Sequence, residues 1–227
     1  MKWKVPKVWD GGQCVIIGGG PSIIKQFGIP EELVKQVYSG RRDISCYAPY
    51  LEPIHDQKII AVNMAYKLGD FTDVLFFGDP NFWRMEQEGI LGYYGLKVTC
   101  GKSLDKIPQV KYLEKDRSRA YGISTDPEKL MFNFNSGSAA INLAVHFGVK
   151  RIILLGFDMS LDTRNNQHWH KRYSTEKEFV FATFRTQCYG FPTMVHELTE
   201  LGVEVINCSP DSAIEGFPKC NFKDIKL

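Results

Sequence analysis

The chain is predicted to fold as an α/β protein: a single Rossmann-like domain with a mainly parallel sheet flanked by helices, and a small lid inserted after the strand that ends at Gly156-Phe157-Asp158. Three observations predict this. Short runs of strand length (14–17, 59–62, 74–77 and 151–155) are apolar nearly throughout, the pattern of strands buried on both faces of a parallel sheet. Each run ends in glycine or a small polar residue, and open α/β sheets bind ligands at the carboxyl ends of their strands. Helical spacing fills the intervals, most clearly from Ser136 to Phe147, ahead of the run Arg151 to Leu155.

Taken in order, the first run, Cys14 to Ile17, enters the turn Gly18-Gly19-Gly20-Pro21-Ser22. Glycines adopt angles closed to other residues and have no Cβ, so peptide N–H groups can converge on an anion there. Pro21 suits the first turn of a helix, and Ser22 offers a hydroxyl where the helix dipole is positive. The turn is not a dinucleotide fingerprint, because Ile23 stands where the third glycine belongs and the next run ends on Asn63 instead of an acid. Glu31 to Tyr38 has helical spacing, which Ser39 to Asp43 breaks. Ile44 to Gln57 contains Pro49 and Pro53 and carries no clean signal. Ile59 to Val62 ends on Asn63, with Met64 to Leu68 a helical turn, and Val74 to Phe77 ends on Gly78-Asp79. Asn63 and Asp79 also suit turns and helix caps.

Pro80 to Gln87 is expected to be a helix and Leu96 to Thr99 a strand. Gly101-Lys102-Ser103 resembles the end of a P-loop, but Leu96 occupies the position of its first glycine. Leu104 to Lys129 is charged and expected to be a solvated excursion. Ser136 or Ser138 is expected to cap the next helix, Gly137 to keep its first turn slender, Gly148 to stop it, and His146 to pack in the core. The strand Arg151 to Leu155 delivers Asp158 to the rim. After it comes a polar segment, about 159–175, holding His168, Trp169, His170 and Tyr173. This is where a lid would sit, with aromatic rings to stack on a base or sugar. Glu176 to Leu201 is mostly helical with a break near Gly190, and Val203 to Ile206 leads to a last polar loop containing Ser209.

At 227 residues, 44% hydrophobic and 24% charged, the chain suits one domain spanning 1–227. A net charge of +2 gives no footprint for nucleic acid. No apolar run reaches the ~20 residues of a membrane span, and the start lacks a signal-peptide core, so a cytoplasmic location is expected. The six scattered cysteines are expected to be reduced and structural, and homo-oligomerisation is left open. His168-x-His170 lacks a nearby cysteine or carboxylate at ligand spacing, so no metal site is expected.

Five stretches, VIIGGGPS, IIAVNMAY, LFFGDPNFW, NSGSAAINLAVHFGVKRIILLGFDM and HELTELGVEVINCSPDSAIEGF, stand in an order that resembles one superfamily. It joins the DUF115 proteins, which include archaeal 6-hydroxymethylpterin diphosphokinase, to the bacterial sialyltransferases of glycosyltransferase family 42, and short relatives occur in phage and prophage genomes. The resemblance runs from about Val15 to Phe217. It implies a nucleotide-dependent transferase whose pocket uses Ser22, Asn63, Asp79 and Ser136, with His168 or His170 as the base of an inverting transfer from a CMP-sugar. Gly19, Asn133 and Ser160 stand where the sialyltransferases have an asparagine, an arginine and a tyrosine.

The expected nucleotide-binding set is therefore Gly18, Gly19, Gly20, Ser22, Asn63, Asp79, Ser136, Gly137, Asp158 and Ser209, with His168 and His170 catalytic. A glycosyltransferase resembling sialyltransferases, with a nucleotide-sugar donor and a glycan or small-molecule acceptor, heads the functional readings. One alternative is a pterin diphosphokinase-like enzyme moving pyrophosphate from ATP, with Mg²⁺ held by Asp79 and Asp158. The other is a non-catalytic module that binds a nucleotide or glycan.

Overall fold

A computed structural model describes residues 2–170 and 177–227, the side chains of 177–181 excepted. The strands are β1 (Gln13–Ile17), β2 (Ile59–Val62), β3 (Val74–Phe77), β4 (Leu96–Thr99), β5 (Lys111–Tyr112), β6 (Glu114–Lys115), β7 (Lys129–Leu130), β8 (Arg151–Leu155) and β9 (Glu204–Asn207). Seven of them form one sheet in the order β5-β4-β3-β2-β1-β8-β9, with every neighbouring pair parallel. A separate parallel pair joins β6 to β7. The helices are α1 (Ser22–Gln26), α2 (Glu31–Tyr38), α3 (Pro80–Gly92), α4 (Ser136–Phe147), α5 (Lys177–Cys188) and α6 (Val195–Glu200). This is a Rossmann-like α/β architecture, as the apolar runs predict. Among the described residues no helix is long and apolar enough to cross a membrane, and all six cysteines are free.

Strand alternation divides the core into two layers. Cys14 and Ile16 of β1 pack with Ile60, Phe76 and Leu154 beneath Ala140, Leu143 and Phe147 of α4. Val15 and Ile17 point the other way, into a layer with Leu75, Phe77 and Leu155, Val34 and Val37 of α2, and Phe82 and Trp83 of α3. β1 is buried on both faces, which explains why it reads as a continuous apolar run.

Two stretches differ from expectation. Ile44–Ile54, where no element was signalled, is a long 3-10 helix that buries Tyr47, Leu51 and Ile54 although Pro49 and Pro53 lie inside it. The helical turn expected from Met64 to Leu68 is present as a 3-10 helix, Asn63–Leu68. The charged excursion from Leu104 to Lys129 contains β5, which pairs with β4 through Val98↔Lys111 and adds the seventh strand. These two-residue strands are too short to show a period of two.

Candidate active site at the strand ends

The chain leaves β1 toward β2 on one side and reaches β8 on the other, so the sheet order reverses between β1 and β8. A cavity of about 660 Å³ opens there, within the usual ~300–1,000 Å³ of a small-molecule site. Nine of the twelve expected residues line it: Gly18, Gly19 and Gly20 after β1, Asn63 after β2, Asp79 after β3, Ser136 and Gly137 at the start of α4, and His168 and His170. Ser22, Asp158 and Ser209 do not line it.

Those three form a knot on the far side of the glycine turn. The Asp158 carboxylate accepts from the Ser22 backbone N–H at 3.1 Å and from its hydroxyl at 2.8 Å. Ser22 Oγ lies 2.9 Å from Ser209 Oγ, which accepts from the Phe157 N–H at 3.2 Å. Burial outweighs these bonds and lifts the Asp158 pKa to about 6. The amides of Gly18 and Gly20 donate to the carbonyls of Leu155 and Gly156, both at 2.8 Å. The expected anion cradle is thus largely spent on holding the β1 and β8 loops together.

The glycines serve proximity instead of unusual angles, since none of Gly18, Gly19 and Gly20 has a positive φ. A Cβ on Gly18 or Gly20 would lie 2.7 Å from the Gly156 carbonyl, and one on Gly20 would also collide with the Asp158 carboxylate. A second cavity, about 730 Å³, lies beyond the knot and includes Ser22, Asp158 and Arg164 in its wall.

On the cavity side the polar groups are less committed. Asn63 has φ +52°, a left-handed conformation that asparagine tolerates, and its buried Oδ1 has no hydrogen-bond partner among the described residues. Asn135, not the expected Ser136 or Ser138, caps α4, its side chain accepting from the Ser138 N–H at 2.8 Å. Ser136 Oγ accepts from the Gly78 N–H at 3.2 Å, joining β3's end to α4's first turn. Asp79 caps α3 through the Asn81 N–H at 2.8 Å. Sequence reading missed Lys115, Phe132, Phe134, Gln167 and Gln187. Lys115 is the only lysine or arginine of the described lining and sits 3.6 Å from the Phe132 ring centroid. Its only sequence signal was a charged stretch that read as solvated.

The described part of the expected lid, residues 159–170, docks on the glycine turn. Trp169 donates its backbone N–H to the Gly19 carbonyl at 3.0 Å and its indole Nε1–H to the Gly18 carbonyl at 2.7 Å. It is fully buried, edge-on to Tyr47, so it does not stack on a ligand as expected; it anchors the histidines. The Tyr38 hydroxyl donates to the His168 carbonyl. Tyr173 and 171–175 lie outside the described residues.

The His168 and His170 rings are stacked at 4.8 Å, 7° from parallel. His168 Nδ1 lies 3.3 Å from the Gly19 carbonyl, an acceptor, so Nδ1 carries the proton and Nε2 the lone pair. Burial pushes the His168 pKa down to about 4, leaving the ring neutral at pH 7.

The residues expected to hold Mg²⁺ do not fit it. Asp79 lines the first cavity and Asp158 the second, and no group of three His, Cys, Asp or Glu suited to a metal occurs among the described residues.

No family model and no curated protein matches the sequence. Solved glycosyltransferases are similar in structure. The Maf glycosyltransferase of Magnetospirillum magneticum aligns over the whole chain with a TM-score of 0.59 at 12% identity, and the chain spans 37% of that protein's length. The Campylobacter jejuni sialyltransferase CstII, solved with the substrate analogue cytidine-5'-monophosphate, aligns over 96% of this chain and 85% of its own at 13% identity, TM-score 0.46. An apo alpha-2,3-sialyltransferase from the same organism aligns over 91% and 79% at 16% identity, TM-score 0.39. The first of these likenesses shows that the two chains share a Rossmann-like α/β fold.

Proposed function

We propose that the protein is a glycosyltransferase that takes its sugar from a nucleotide donor, a CMP-sugar by the motif resemblance. One observation carries this reading: two stacked histidines, the first turn of α4 and the polar ends of β1, β2 and β3 all face one cavity of nucleotide size. The backbone N–H groups of Ser136 and Gly137 at the start of α4 and the Lys115 ammonium suit a phosphate, and the Asn63 Oδ1 suits a donor group of base or ribose. The acceptor's hydroxyl oxygen bonds to the anomeric carbon as the bond from that carbon to the phosphate oxygen breaks. The electron pair of that bond leaves with the nucleotide, and the hydroxyl proton passes to one of the two imidazoles, inverting the centre. Kinship with the DUF115 proteins belongs to the same proposal. The diphosphokinase alternative is weakened by the separation of Asp79 from Asp158.

A second reading, a nucleotide-binding module without turnover, draws on the weak basicity of His168. Thermal shift against CMP-, UDP- and GDP-sugars, ATP and a pterin, followed by nucleotide release from whichever donor stabilises the protein, separates the readings. Stabilisation with slow release of the nucleoside phosphate is the expected outcome. Stabilisation by ATP with a pterin and no sugar nucleotide overturns the proposal, and stabilisation without turnover leaves the binding module.

A further inference from the structure

We propose that the rings of Tyr121, Phe134 and Tyr189 form a platform at the cavity mouth that takes the acceptor, an acidic oligosaccharide, by stacking on its sugars; naming an acceptor rests on the glycosyltransferase reading. Phe134 is 51% exposed and Tyr189 61%, so neither serves the core. Tyr121 lies between them, 5.4 Å from the Phe134 centroid and 5.2 Å from that of Tyr189. The three rings come from three separate loops, and each sits beside a member of one buried junction: Gly122, Asn133 and Gly190. The Asn133 side chain accepts from the Gly122 N–H at 3.0 Å and donates to the Gly122 carbonyl at 2.9 Å. A Cβ on Gly190 would lie 2.5 Å from the Asn133 carbonyl oxygen. The junction is buried, while two of the rings it carries, Phe134 and Tyr189, are exposed and the third, Tyr121, is half-buried.

Backbone strain points to a ligand. Asn133 and Phe134 have φ of +46° and +65°. A phenylalanine in this region is a genuine outlier, and such strain gathers at ligand sites. Burial does not repay it, because the ring is left in solvent. Phe134 belongs to the wall of the main cavity and also to a shallow groove of about 480 Å³ beside it.

Lys115, Arg117 and Arg119 line that groove with one acid, Asp116. Asp116 is held at about pKa 2 by the Ser124 hydroxyl, and Arg119 pairs with Glu197, so Lys115 and Arg117 give the groove its positive character. Aromatic faces beside fixed cations suit a sugar that presents a C–H face and a carboxylate. A protein partner is a poorer match, since three partly exposed rings fall well short of the ~800 Å² that each side of a stable interface buries.

The test measures binding of an oligogalacturonate, an oligosialate and neutral maltoheptaose to the full chain by calorimetry, with CMP as control. Phe134→Gly removes the ring and also relieves the left-handed strain, so it should fold, and Tyr189→Ser is a second, unstrained site. At least one acidic probe should bind the parent, at least tenfold tighter than maltoheptaose does, and each variant should lose tenfold or more of that affinity, with CMP binding unchanged in Tyr189→Ser, whose ring lies outside the cavity lining. No glycan binding by the parent, equal binding by the variants, or a parent dimer that the variants dissociate each overturns the platform. Ring-dependent glycan binding without CMP binding upholds the platform and overturns the CMP-sugar donor, and the same result with no sugar nucleotide bound in the thermal-shift panel overturns the glycosyltransferase reading.

Discussion

The glycine turn after β1 has two sides that the sequence presents as one site, and the structure gives them opposite characters. On one side Ser22, Asp158 and Ser209 satisfy one another and tie the ends of β1, β8 and β9 together. On the other, Asn63 keeps an unpartnered carbonyl oxygen and two histidines face a cavity. Polar residues at strand ends therefore do two jobs, and the hydrogen-bond inventory distinguishes them. A closed network holds the fold, whereas an unpartnered buried acceptor is costly unless a ligand completes it.

Substitutions on the two sides should separate along the same line. The largest effect is expected from the histidines: replacing the true base, by His168→Ala or His170→Ala, should lower turnover by roughly 10²–10⁴ with nucleotide affinity little changed. If both variants keep full turnover in a nucleotide-release assay, the cavity has no histidine base.

Gly20→Ala comes next. It forces a Cβ against the Asp158 carboxylate and the Gly156 carbonyl, and overpacking of this kind costs about 1–3 kcal/mol. A clear fall in Tm is expected; an unchanged Tm with weakened nucleotide binding would restore the turn as a simple ligand cradle.

The pH dependence sharpens the contrast. Asp158, raised to about 6, contributes stability that is present near pH 4 and is lost as pH rises through about 6. His168, lowered to about 4, contributes stability that is present above about 6.5 and is lost as pH falls through about 4. The slopes oppose each other between pH 4 and 6, so the parent should be nearly flat there. Asp158→Asn removes one slope, and stability should then fall with acidification by on the order of 2 kcal/mol, followed by urea titration at several pH values. Identical parent and variant profiles would show that Asp158 titrates normally.

The smallest effects form a crossed pair. Ser22→Ala loses the hydroxyl bonds of the knot and should cost about 1 kcal/mol with nucleotide affinity intact. Asn63→Gly relieves the left-handed φ and removes the unpartnered oxygen, so calorimetry should show weaker nucleotide binding at an unchanged or higher Tm. The reverse pattern would exchange the roles of the two sides.

The long apolar strands were legible because a run buried on both faces needs no partner information. β5 was not, because two residues carry no period and only pairing with β4 makes Lys111–Tyr112 a strand. Most of the candidate site was legible from where the strands end. Phe132 and Lys115 were not, because they reach the cavity from the small β6–β7 region, whose sequence is indistinguishable from a solvated loop.

By itself the sequence determined the apolar strands of the sheet, their direction, and the rim where the cavity opens, since apolar run length and the residues ending each run are local properties. Tertiary structure alone decided which polar residues face the cavity. Whether Ser22 meets a phosphate or Asp158, and whether Trp169 stacks on a base or is buried against the glycine turn, depends on loops more than a hundred residues apart meeting above the sheet. A hydrogen bond saturated by such a neighbour leaves no local trace in the chain.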